Sequence, residues 1–176
     1  MIPVLNISYI LIMMNALILF DFNQESNLSQ WQVVDDIVMG GRSNSLLMLN
    51  KEGNAVFKGN ISLENSGGFS SIRYSFDQIK TNTYSKFVLY IKGDGKKYQF
   101  RIKENNQDDY SYISYFQTNN DWQKIEIPFN GMYASFRGRK LDMENFTGQQ
   151  IEQISFLFGN KKAEDFQLEI DKIEIH

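Results

Sequence analysis

The fold class this sequence predicts is an all-β sandwich. Strand-like alternation dominates after residue 20, turn signals recur roughly every 8–12 residues, and no helical period is sustained. Residues 19–22 read as a first strand. Val33-Val34 and Leu46-Leu47-Met48-Leu49 are short apolar runs broken by Gly and Asn, and Ala55-Val56-Phe57 leads through Gly59 to a further run at 60–63. Residues 69–76 alternate, with Ser70, Ile72, Tyr74 and Phe76 on one face and Phe69, Ser71, Arg73 and Ser75 on the other. Residues 86–92 set Phe87, Leu89 and Ile91 against Val88, Tyr90 and Lys92, then stop at the tight-turn signal Gly93-Asp94-Gly95. Residues 98–103 set Tyr98, Phe100 and Ile102 against Gln99, Arg101 and Lys103. Residues 110–117 form an aromatic strand. Residues 122–129 turn Ile125 and Ile127 inward and stop at Pro128, and 154–158 and 166–175 close the chain. Helical turns are expected only at 27–30 and around 147–152, where Thr147 would serve as an N-cap.

Composition narrows the chemistry. A chain of 176 residues with 42% hydrophobic and 14% aromatic content is long enough for one packed core, expected over residues 19–176. A net charge of -3 gives no general attraction to nucleic acid. Cysteine is absent and the one histidine is His176, so thiolate chemistry, a His-rich zinc site and a Ser-His-Asp triad lack material. Gly93-Asp94-Gly95 is not a dinucleotide fingerprint, because the third glycine and the following helix are missing. No cofactor, no metal and no enzymatic activity are expected.

The N-terminal residues 1–18 form an apolar extension without a basic n-region, since no Lys or Arg precedes Arg42. A signal segment and a marginal anchor are open readings. The favoured one is an over-extended start, with Met13 or Met14 as initiator. No stable membrane span is expected, and the expected location is cytoplasmic, with peripheral membrane association or export as alternatives.

Two blocks carry the main functional question. Asp35-Asp36 precedes Gly40-Gly41 and Arg42, and Glu64-Asn65 precedes Gly67-Gly68 and Arg73. Glycine pairs permit positive φ and close approach of another group. The acidic and amide side chains beside them admit calcium ligation, hydrogen bonding to turn N–H groups, or pairing with Arg42 or Arg73. Calcium-loop spacing is absent, which leaves metal the weakest of these. Polar residues opposite the apolar ones on several strands suggest a second site. If the strands share a sheet, Arg73, Tyr90, Lys92, Gln99, Arg101 and Lys103 lie on one outer surface, with Tyr110, Tyr112 and Phe116 adding aromatic area. Such a face would suit a sugar or an extended partner segment; the alternative is a solvated face of cross-strand pairs. The basic stretch Phe136-Arg137-Gly138-Arg139-Lys140 offers Arg137 and Arg139 for clamping a carboxylate or phosphate, or for pairing with Asp142 or Glu144.

These blocks also resemble a known family. Trp31-x-Val-Val-Asp-Asp-x-Val-Met-Gly-Gly-Arg-Ser and Gly59-x-Ile-Ser-Leu-Glu-Asn-x-Gly-Gly-Phe-Ser-Ser-Ile-Arg are similar to the complex I intermediate-associated protein 30 family. Lys92-Gly-Asp-Gly with Tyr98-x-Phe-Arg, Pro128-Phe129, Phe136-Arg137-Gly138 and Phe158-Gly-Asn-Lys resemble its later blocks, so the similarity spans about 19–175. The resemblance implies a galactose-binding-like jelly roll, close in fold to family 11 carbohydrate-binding modules. It implies a chaperone-like assembly role toward respiratory complex I, as in the mitochondrial members. The chain looks like a bacterial stand-alone member, without an Arg-rich presequence.

The functional expectation is a non-enzymatic binding module whose partner is a respiratory-complex subunit or assembly intermediate. The alternative is a carbohydrate-binding module using the sheet face, through Tyr90, Arg101, Tyr112 and their neighbours. Asp35, Asp36, Gly40, Gly41, Glu64, Asn65, Gly67 and Gly68 are expected to form a structural corner, tied by Arg42, Glu64 and Arg73. Arg73, Tyr90, Arg101, Tyr112, Arg137 and Arg139 are the candidate ligand or partner contacts.

Overall fold

The computed structural model describes residues 16–176; the apolar run up to residue 15, with the start expected at Met13 or Met14, lies outside the described residues. The strands are β1 Leu17–Asp21, β2 Trp31–Asp35, β3 Asn44–Leu49, β4 Ala55–Ile61, β5 Ser70–Lys80, β6 Lys86–Lys92 and β7 Lys97–Lys103. They continue as β8 Ser111–Gln117, β9 Trp122–Pro128, β10 Tyr133–Phe136, β11 Arg139–Lys140, β12 Gln150–Phe158 and β13 Glu164–Ile175. Among the described residues they form two antiparallel sheets. The six-stranded sheet runs β3-β4-β13-β6-β9 with β1 also on β13, and the seven-stranded sheet runs β11-β10-β8-β7-β12-β5-β2. The architecture is a jelly-roll β-sandwich.

Alternation along each strand makes the core. Phe57, Phe87, Leu89, Ile91, Leu168 and Ile170 from one sheet face Ile72, Phe100, Ile102, Ile154 and Phe156 from the other, all fully buried or nearly so. Rings cross the gap: Phe87 meets Phe100 at 5.1 Å between centroids, and Phe158 meets Phe166 at 4.6 Å. At one end Trp31 stacks on Tyr74 at 5.2 Å, with Phe20 and Phe22 against the same indole.

The chain changes sheet repeatedly. Gly93-Asp94-Gly95 does not close a hairpin. It carries the chain from β6 in one sheet to β7 in the other. Gly95 has φ +80, and a Cβ on Gly93 would overlap the Thr118 side chain. Asp94 anchors the crossing, accepting from Tyr98 Oη at 3.0 Å, Lys96 Nζ at 2.7 Å and the Gln167 N–H at 3.0 Å. Likewise no helical turn forms over 147–152. Residues 147–149 are irregular, and β12 begins at Gln150 because Ile151 pairs with Ile79 of β5 and is fully buried. The other expected turn is present as a 3-10 turn, Leu28–Gln30, where Asn27 accepts from the Ser29 N–H at 3.0 Å.

Phe100→Ala removes a ring packed against Phe87 and Phe156, and is expected to lower unfolding free energy by about 4 kcal/mol in urea titration. Tyr90→Ala, on an outer face, is expected to cost about 1 kcal/mol or less.

Candidate binding groove and its carboxylate anchor

Both Gly-Gly blocks are sheet-to-sheet crossings lying side by side. Residues 36–43 take the chain from β2 in the seven-stranded sheet to β3 in the other, and residues 62–69 bring it from β4 back to β5. Asp36, fully buried, accepts from the Ser43 N–H at 2.9 Å, Ser43 Oγ at 2.5 Å, the Gly68 N–H at 2.6 Å and the Phe69 N–H at 3.4 Å. Asp35 accepts from the Ser45 N–H at 3.0 Å, Ser45 Oγ at 2.7 Å and Ser70 Oγ at 2.5 Å. Asn65 adds a bond to the Gly40 carbonyl at 3.0 Å.

The glycines follow from this packing. A Cβ on Gly41 would overlap Asp36 Oδ1, and one on Gly67 would lie 2.5 Å from Oδ2; Gly40 and Gly68 hold φ of +87 and +131. Burial pushes the Asp36 carboxyl up, but the bonds from Ser43, Gly68 and Phe69 outweigh it and leave the group below its ordinary range. Arg42 and Glu64 pair at 2.8 Å with side chains 67% and 61% exposed, a surface contact of small weight. Arg73 does not join this corner.

Arg73 instead belongs to the outward face of the seven-stranded sheet. Ser155 of β12 stands in register with Arg73 of β5 on one side and Arg101 of β7 on the other. Neighbouring strands lie about 4.8 Å apart, so the short serine separates two long cations and leaves a slot between them. Lys103 and Arg137 border the same cleft, about 160 Å³ in volume. Arg137 reaches it from the β10–β11 hairpin, where Phe136 pairs with Arg139 across a two-residue loop. Arg137 and Gly138 there hold φ of +48 and +76, the pattern of a type I′ turn. An adjoining cavity of about 430 Å³, which shares Arg73, Arg101, Asp109 and Arg137 with the cleft, adds an apolar shelf of Met39, Phe69, Phe136 and Leu157.

Electrostatically the groove carries an excess of positive charge: Asp109 also lines it, and the Asp108 and Asp109 charges favour the Lys103 ammonium, but neither forms an ion pair with the arginines. Arg101 donates from Nε and Nη2 to Gln99 Oε1 at 2.9 and 2.7 Å, a neutral acceptor, and Lys103 donates to the Asp108 carbonyl. Among the described residues no carboxylate lies within ion-pairing distance of Arg73, Arg101, Lys103 or Arg137. Burial lowers the Arg101 guanidinium to about 10, with the neighbouring Arg73 charge acting the same way; it stays charged at neutral pH. Burial lowers Arg73 as well.

Three candidate contacts, Tyr90, Tyr112 and Arg139, lie elsewhere. Tyr90 and Lys92 sit on β6, in the other sheet, and Lys172 covers the Tyr90 ring at 4.8 Å. Their expected union with Arg101 fails because the crossing at Gly93 separates β6 from β7. Tyr112 and Phe116 point into the core, at 7% and 5% exposure, while the outward aromatic of β8 is Tyr115. Arg139 is exposed on β11, and neither it nor Arg137 pairs with Asp142 or Glu144. Sequence reading missed Ser155, Met39 and Leu157. The serine's place between the arginines needs the β12 register; only its alternation with Phe156 is visible in the sequence. Among the described residues no group of three or more acidic or histidine side chains is placed to hold a metal ion.

The fold is a jelly-roll sandwich similar to that of carbohydrate-binding modules. The family 11 carbohydrate-binding module from Clostridium thermocellum, solved with a beta-1,3-1,4-mixed-linked tetrasaccharide, superposes with a TM-score of 0.65 at 20% identity, over 91% of this chain and 94% of that one. A mutant family 29 carbohydrate-binding module, made to probe ligand recognition, gives 0.53 at 11% identity, over 92% and 91%. The family model described as complex I intermediate-associated protein 30 matches residues 20–170, and the chain belongs to that family. The mitochondrial protein of that name from Mus musculus is 27% identical over 187 residues, covering 93% of this chain and 57% of its own length. The Drosophila melanogaster protein is 27% identical over 181 residues, covering 89% and 61%. The chain thus spans a little over half the length of these relatives.

Asp36→Asn is expected to cost about 3 kcal/mol, because charge-assisted bonds to buried donors are weakened. The sign with pH follows from the depressed carboxyl: its contribution is complete above the ordinary aspartate value near 4 and is lost as pH falls through the lower folded value. Acid unfolding of the wild type and the Asn variant, followed by circular dichroism, should therefore converge as pH drops.

Proposed function

We propose that this domain is a non-enzymatic, chaperone-like binding module in the assembly of respiratory complex I, engaging a protein partner through the cationic groove. The observation that carries the reading is the family match over residues 20–170, nearly all of the folded sandwich. The chemical inventory agrees. The lone histidine, His176, is engaged with Glu174 at 2.8 Å, and cysteine is absent. The carboxylates of the Gly-Gly corner spend their oxygens on protein donors rather than facing a substrate. Deleting the gene in its native host should reduce fully assembled complex I on native gels and in NADH:quinone activity. Unchanged complex I in the deletion strain would overturn the reading.

A second reading, carbohydrate binding, is favoured by one specific observation on the opposite sheet. Trp122 is 47% exposed and borders a cleft of about 580 Å³ with Asn50, Asn54, Lys92 and Gln167. An exposed indole beside amides is suited to stacking on a sugar ring and bonding its hydroxyls. Calorimetric titration with a mixed-linkage β-1,3-1,4 tetrasaccharide should show binding that Trp122→Ala abolishes; absence of heat with the wild type would dispose of this site.

A further inference from the structure

The geometry points to an acidic peptide segment as the occupant of the groove, with an Asp or Glu carboxylate seated between Arg73 and Arg101 and an adjacent apolar side chain on the Phe136–Leu157 shelf.

Charge carries the first half of the argument. Two arginines and a lysine from strands β5 and β7, with Arg137 from the hairpin, converge on one cleft of a protein whose net charge is -3. Holding like charges together in a partly desolvated cleft is unfavourable unless an anion completes the site. The Asp108 and Asp109 charges act on Lys103, but among the described residues no protein carboxylate pairs with Arg73, Arg101 or Arg137. Asp109, the acidic residue on the rim, forms no ion pair with any of the four. The Arg73–Ser155–Arg101 row sets the Arg73 guanidinium and the Nη1 of Arg101, whose Nε and Nη2 are held by Gln99, on either side of a small hydroxyl, so that N–H donors from both sides can reach a carboxylate. The hairpin adds a second sign. Arg137 occupies a left-handed position that Asn, Asp or Gly ordinarily fills, so a long cation is placed over the cleft at some cost in backbone strain.

Shape selects the class of anion carrier. The wall beside the cations is aliphatic and thioether as well as aromatic: Leu157 and Met39 with Phe69 and Phe136. Met39 and Phe136 are 61% and 37% exposed, so the shelf is open to a side chain docking from solvent. Such a surface fits Leu, Ile or Met next to a carboxylate better than a sugar ring, which prefers a flat aromatic platform. The Ser135 hydroxyl in the cleft can serve the peptide backbone, whereas that of Ser71 donates to the Val34 carbonyl. The choice of a peptide over another carboxylate also rests on the proposed protein-binding role.

The test is a nuclear magnetic resonance titration of the 15N-labelled protein with acetyl-Leu-Glu-Leu-Glu-Leu-amide. Saturable shifts are expected at Ser155 and at the Arg101 side-chain Nε. The peptide with Gln in place of Glu should bind about tenfold more weakly, and Arg101→Gln should weaken the Glu peptide to a similar degree. Arg101→Lys should restore only part of the binding, because an ammonium cannot form the paired contact. If Arg101→Gln fails to fold, Arg73→Gln carries the same expectation. Absence of groove shifts, equal binding of the Gln peptide, or stronger binding of inorganic phosphate or digalacturonate would each overturn the assignment. Peptide binding by the groove alongside normal complex I in the deletion strain would leave this inference standing and remove the assembly role.

Discussion

The buried carboxylate of Asp36 is the interaction on which the rest of this end of the molecule depends. It joins two chain crossings that are far apart in sequence, one ahead of β3 and one ahead of β5, by accepting from Ser43 and from the Gly68 and Phe69 amides. Asp35 repeats the device one residue earlier, bonding Ser45 of one sheet and Ser70 of the other. A carboxylate suits this task because it offers several acceptor positions at one point, and buried loop amides must find acceptors. The neighbouring glycines are its consequence, since side chains at Gly41 and Gly67 would displace the carboxylate.

That corner also bears on the groove. Met39, on the 3-10 turn Asp36–Met39, lines the apolar shelf, and Phe69, whose amide reaches Asp36, lines it too. The same loops therefore close the sandwich and build one wall of the binding face. The cations come from elsewhere, from β5, β7 and the β10–β11 hairpin. Structural and recognition roles are thus divided between carboxylates turned inward and guanidinium groups turned outward.

Much of the fold is legible in the sequence because alternation is a local property. The stretch 86–92 places Phe87, Leu89 and Ile91 inward by spacing alone, and β6 has those bounds with all three fully buried. Arg73 and Arg101 are legible as outward-facing for the same reason, whereas Arg137 lies in a hairpin loop. What is not legible is which strands are neighbours. Tyr90 and Arg101 lie eleven residues apart across a tight-turn signal, yet they stand on opposite outer faces. Tyr112 reads as a surface aromatic in the sequence, although its place in β8 turns it onto Phe146.

By itself, the sequence determined the β class, most strand positions, most inward and outward faces, the Gly-Gly turns and the family, since these depend on residue type and spacing along a short stretch of chain. Only the tertiary structure decided that the Gly-Gly blocks are adjacent crossings bound to Asp35 and Asp36. It alone decided that Arg73, Ser155 and Arg101 form a row and that Tyr90 is excluded from it. The physical reason is register and sheet membership: a strand's partners are chosen by burial against the whole core, and no local signal around Gly93 distinguishes a hairpin from a passage between sheets.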